Sequence, residues 1–180
     1  MKYYTKELWA GINQRDRKRA EEAERQWCKN DRMYQKYLKR VRPQLTKSAK
    51  NFFGKVNLHD GALISFSTGD VIKRKKHFVS PKSFAEINVV ESTGKYVYTL
   101  LYAELRKCLV DYHPDAPHSA GDYWTYDDWG YDEFSLTRDK WMRHEILFLS
   151  GATILLEFRR FSYRRERFEE LQAKLTAHNH

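Results

Sequence analysis

His59 and Asp60, within VNLHDGALISFSTGD at residues 56–70, are the first side chains with the means for chemistry. Metal-dependent hydrolases use an adjacent His-Asp pair, but such a site needs three or four ligands in one small volume. The rest would have to come from His77, Asp111, His113 or His144, which no metal-binding spacing links. Asp-Gly is also turn chemistry: the carboxylate accepts backbone N–H groups and glycine takes conformations that other residues resist. His59, Asp60 and Gly61 are therefore expected to form a structural turn. Local backbone hydrogen bonds should hold it, with no metal and no deep pocket around it. A metal-dependent hydrolase centred on His59-Asp60 is the competing reading.

The stretch HPDAPHSAGDYWTYDD at 113–128 is rich in oxygen and nitrogen ligands. Its spacing fits neither the calcium helix-loop-helix nor a helical zinc pattern. It reads as a surface loop, and its aromatic residues are more informative than its charges. Tyr123, Trp124, Tyr126, Trp129 and Tyr131 offer large contact area with few rotors, so they are candidate partner-binding residues; the alternative is that they fold back onto the sheet. The third constellation is basic: Arg15, Arg17, Lys18, Arg19, Arg25, Lys29, Arg32 and Lys36 precede further cations up to Arg42. They would track phosphates or meet an acidic protein surface. They read as spread around a helix and interrupted by Glu21, Glu22 and Glu24, with Trp27, Tyr34 and Tyr37 on its apolar stripe. The run VIKRKKHF at 71–78 reads as an edge strand whose charges oppose edge-to-edge aggregation.

Nucleophilic catalysis has no motif to stand on: no Gly-x-Ser-x-Gly, no phosphate-cradling glycine loop, no cysteine in a reactive setting. Asp132 and Glu133 are adjacent in a strand pattern, so they face opposite ways and form no carboxylate pair. No cofactor and no metal are implied.

These residues need a scaffold. The 180 residues are 41% apolar and 15% aromatic, enough for a core. No apolar run is long enough for a membrane helix, and no signal peptide is evident. The two cysteines, Cys28 and Cys108, read as reduced, so the expected location is cytoplasmic with no membrane partner. The net charge of +9 is uneven. Residues 1–53 hold 15 Lys/Arg against 6 Asp/Glu, and the remainder balance at 18 against 18.

The periodicity predicts one long helix over 13–41, capped by Asn13 with Asp16 three residues on. Ala20, Ala23, Trp27, Tyr34, Tyr37 and Val41 form its buried stripe, interrupted by Asn30. A second helix over 43–53 should stop at a left-handed Gly54. Beyond it the pattern turns to period two. Strands are predicted at 62–67, 71–79 and 85–91, with STGD at 67–70 and STGK at 92–95 as turns. Strands then follow over 96–112 with a bend near Glu104–Arg106, and over YDEFSLT, WMRHEILFL and ATILLEFRRFS. A closing helix is placed over 163–175. The expected class is α+β: an N-terminal helical segment, an antiparallel curled sheet or sandwich of about seven strands, and a C-terminal helix. The domains are a basic helical segment, 1–54, and an antiparallel β domain with a C-terminal helix, 55–180.

MKYYTKELW at the start, NLHDGALISF at 57–66, WGYDEFSL at 129–136 and HEILFLSGATILLEFRRFSY at 144–163 resemble a bacterial family of unknown function numbered 4085. The His-Asp step into a strand is also similar to modules of immunity proteins in bacterial polymorphic toxin systems. The resemblance implies a small bacterial protein without known enzymatic activity and carries over no catalytic residue. The expected function is a non-enzymatic protein-binding protein, immunity- or inhibitor-like against a toxin or effector, with a partner that presents an acidic surface. Nucleic-acid binding through residues 13–42 is the alternative.

Overall fold

The computed structural model describes residues 1–75, 78–111 and 127–171, with the backbone alone for 71–75 and 78–81. Helices α1 (Lys6–Ile12), α2 (Arg17–Val41) and α3 (Lys47–Lys55) precede six strands. These are β1 (Gly61–Lys75), β2 (Phe78–Val90), β3 (Tyr96–Asp111), β4 (Asp127–Leu136), β5 (Met142–Phe148) and β6 (Thr153–Arg167). The expected α+β class holds.

The helical boundaries differ from the sequence expectation where two caps compete. Asp16 accepts from the N–H groups of Lys18 and Arg19 and starts α2, whereas Asn13 closes α1 through its bonds to the Trp9 carbonyl. Thr46 caps α3, which runs through Gly54 to Lys55. At the other end the strand pattern wins over the helical one. β6 continues to Arg167, held by β3 through pairs such as Tyr98↔Arg165, and helix begins only at residue 168.

The sheet is a closed antiparallel barrel in the order β1-β2-β3-β6-β5-β4. Among the described residues it has six strands, not seven, because STGD is no turn. Residues 67–70 pair in sequence with 86–83, and the hairpin reverses beyond Lys75↔Phe78. Gly69 has a strand role instead, since a Cβ there would stand 3.0 Å from the Phe84 ring that lies across it. The expected bend near 104–106 is a β-bulge: Glu104 has φ 56°, and the β3–β6 register shifts between Leu105 and Lys107. Another bulge, between Leu63 and Ser65, lets Leu63 and Phe66 both meet the core although they are three residues apart.

Closure of the barrel is narrow. β1 and β4 pair only at Gly61↔Trp129, Ala62↔Asp128 and Leu63↔Asp127. On one side of these pairs β1 runs on without β4, and on the other β4 runs on without β1. Beyond Leu63, β1 has no second strand partner among the described residues, which fits the edge-strand reading of its basic end. The free length of β4, 130–136, is covered by the helical segment. Phe134 N–H donates to the Tyr34 hydroxyl (2.5 Å) and Leu136 N–H to that of Tyr37 (2.8 Å). α3 plugs the neighbouring end: Phe52 packs on Phe161 and Tyr163, and Phe53 on Phe134, His144 and Phe161. Leu45, Ala49 and Phe52 thus share one core with the barrel interior.

Candidate functional site

α2 is docked by the stripe read from its sequence. Trp27, Tyr34 and Val41 are buried, and Tyr3 and Tyr4 complete an aromatic cluster with Trp27, Tyr34, Trp9 and Tyr131. The chain start is held by Glu133, whose carboxylate accepts from the N–H groups of Lys2 (2.8 Å), Tyr3 (2.5 Å) and Tyr4 (2.6 Å). Docking fixes what the helix shows outward. All eight expected basic residues are exposed. They are not evenly spread: Lys18, Arg25, Lys29, Arg32, Lys36 and Arg40 share an arc of about 80° opposite Trp27, broken only by Glu22. The ridge is about 33 Å long at 1.5 Å per residue. Among the described residues Lys18, Arg25, Lys29, Arg32 and Lys36 have no carboxylate within salt-bridge reach; the ion pairs of α2 are Arg17–Glu21 and Arg19–Asp16. Met33 lies beside the ridge with 48% of its surface exposed.

Of the five candidate partner-binding aromatics, Trp129 and Tyr131 are taken up by the fold. Trp129 is 1% exposed, with its indole N–H donated to Asp132, and Tyr131 is wedged between Trp9, Trp27 and Tyr4. Both belong to β4, so the burial of the barrel face and the helix contact takes them. Tyr123, Trp124 and Tyr126 lie outside the described residues.

His59, Asp60 and Gly61 do make a turn, but with different parts from those expected. Asp60 takes the left-handed conformation, φ 60°, and Gly61 is the first residue of β1. A Cβ on Gly61 would stand 2.8 Å from the carbonyl oxygens of both Leu58 and Val90, so the glycine serves close approach of backbones. The bonds are not all local. His59 N–H donates to Asn57, while its Nδ1–H donates to the Gly130 carbonyl (2.5 Å) and Asp60 N–H to that of Trp129 (2.8 Å). Nor is the surface flat: His59 lines a cleft of about 280 Å³ between α2, α3 and β4, with Asp132, Asn57, Gln35, Tyr4 and Tyr34.

Behind this cleft runs a polar chain that the strand pattern alone did not reveal. The Tyr102 hydroxyl bonds His144 Nδ1 (2.8 Å), and His144 Nε2–H donates to Asp132 Oδ2 (3.0 Å). His144 and Tyr102 are fully buried. Burial, and then the nearby Asp132 charge, push the Tyr102 phenol well above its ordinary value, so it stays protonated and donates. The chain leaves no buried side-chain polar atom unpaired among the described residues. Asp132 and Glu133 diverge as adjacent strand positions must: one bonds inward to His144, the other grips residues 2–4. Among the described residues no group of three or more His, Cys, Asp or Glu is placed to hold a metal ion. Among the described residues no helix is long and apolar enough to cross a membrane.

Comparison with protein-family models, with curated proteins and with solved structures found no match to this chain.

Proposed function

We propose that the protein is a non-enzymatic binding protein, immunity- or inhibitor-like, that uses the outward ridge of α2 to hold a protein partner with an acidic surface. The observation that carries this reading is the row of uncompensated cations on a docked helix, with Met33 exposed beside them. Cations alone serve phosphate and carboxylate equally. An exposed methionine is useless against a phosphate backbone but is enriched, with arginine, in protein interfaces. The aromatic side chains that stacking on single-stranded nucleic acid would require are spent on docking α2.

Paired affinity capture tests the reading, with the wild-type chain and a K18E/R25E/K29E/R32E/K36E variant as baits in extract of the encoding organism. The expected result is an acidic protein held by the wild type, lost from the reversed variant, and weakened by Met33→Ala. In parallel, both baits are titrated with a 20-base-pair duplex. Tight duplex binding that falls about 500-fold between 50 and 200 mM salt, as five phosphate contacts require, and that survives Met33→Ala would replace this function with nucleic-acid binding. The same partner on both baits would remove α2 from the contact.

A further inference from the structure

The cleft beside His59 has a charge that the protein itself does not balance. Asp132 opens into it with 29% of its side chain exposed. Its oxygens accept from two neutral-type donors, the Trp129 indole and the His144 ring. Glu133, next in sequence, is satisfied by backbone N–H groups. Among the described residues no Lys or Arg reaches either carboxylate, in a chain that carries 33 of them. A partly buried carboxylate without a cation is costly in a low-dielectric setting, and the cost falls when a cation is supplied.

The other groups of the cleft fit that charge. With Nδ1–H committed to Gly130, His59 Nε2, which lies 3.6 Å from the Asp60 carboxylate, is an acceptor in the neutral tautomer. Gln35 donates its amide N–H to Asp31, which leaves its carbonyl oxygen as a second acceptor. The walls are rings, those of Tyr4, Tyr34, Phe53 and Tyr131, and ring faces attract cations. The Tyr34 phenol is held well above its ordinary value by burial and by the Asp132 charge, so it adds no competing anion.

We propose that this cleft binds an alkylammonium group, with Asp132 as counter-ion, the aromatic rings as walls, and His59 and Gln35 as acceptors for its N–H groups. The group would come from a free primary amine or from a lysine side chain of another protein. The inference is independent of the α2 ridge, which lies on the opposite, outward side of that helix.

The experiment is a titration of the full chain, followed by ¹⁵N NMR and calorimetry, with n-butylammonium, Nα-acetyl-lysine amide and n-butanol as an uncharged isostere. Saturable shifts at Gly130–Asp132 and His59 are expected with both ammonium probes and not with butanol. Asp132→Asn should weaken binding at least tenfold. If that variant unfolds, His59→Leu, which keeps an apolar group against Tyr131, should weaken binding several-fold. Tighter binding of the lysine amide than of butylammonium assigns the source to a partner lysine; equal or weaker binding assigns it to a free amine. No saturation by 10 mM, butanol binding as well as butylammonium, or a folded Asp132→Asn that binds like wild type would overturn the proposal.

Discussion

At the scale of the residue, Asp60 and Gly61 divide a task that their sequence assigns to the pair. Asp60 bears the left-handed backbone and Gly61 the close approach, so substitutions should separate them. Gly61→Ala should lose about 1–3 kcal/mol in urea unfolding, because the added methyl meets two backbone oxygens that cannot turn aside. Asp60→Gly should be unchanged or up to about 1 kcal/mol more stable, since glycine takes the left-handed region without the steric cost. The turn was legible in the sequence because Asp-Gly chemistry is local. The cleft was not, because Asp132 and Tyr34 reach His59 only through the fold. A second cluster sets the response to acid. Burial pushes the Glu157 carboxyl up, but the guanidiniums of Arg143 and Arg106 outweigh it and hold the group below its ordinary value. Arg106 and Thr137 draw Asp139 down to about 2. Both folded values lie below the unfolded ones, so this contribution is complete above the ordinary carboxylate range and drains away as pH falls toward 2. The gap in Tm between the wild type and a Glu157→Gln, Asp139→Asn variant should be constant from about pH 7 to 5 and close steadily below about pH 4.

At the scale of the element, α2 acts as the missing neighbour of β4. Two tyrosine hydroxyls take the N–H groups that a strand would have taken, and so cover an edge that would otherwise be open to other chains. Tyr34→Phe orphans a buried N–H and should cost about 1–3 kcal/mol, and half-buried Tyr37→Phe less. Both should speed amide exchange at Phe134 and Leu136, while the β3–β6 ribbon stays protected. Glu133→Ala removes the acceptor of three N–H groups at once, and should expose residues 1–16 to limited proteolysis while the barrel resists. The docked stripe of α2 was legible in advance from its 3–4 spacing, since one buried face dictates it. STGD misled because turn composition is a local preference, and the facing Phe84 overrode it. The C-terminal helix was placed too early because Phe161 and Tyr163 suit either period, and the β3 ladder decides between them.

At the scale of the whole molecule, the barrel is well joined everywhere except at β1–β4, where three residue pairs close it. Amide exchange should therefore open this seam first. The pairs at 61–63 and 127–129 should exchange at a lower free energy than those of β3 with β6, in one step with α3 and α2, which brace the same gap. That closure was not readable from period-two patterns, which show that strands exist and which face is apolar but not which two strands meet last. The charge asymmetry was readable. Its meaning as a ridge waited on the docking of α2, which hides the aromatic residues and turns the cations outward.

The brace between Tyr34 and Phe134 also has a consequence in time. The two are 100 residues apart, and the helix is made first. At about 5–20 residues per second, α2 waits roughly 5–20 s on the ribosome before the strand it covers exists. Throughout that interval Trp27, Tyr34 and Tyr37 have no barrel to lie on. The nascent chain is then an amphipathic cationic helix beside ribosomal RNA, and the emergence of β4 and β5 is the event that withdraws its aromatic face.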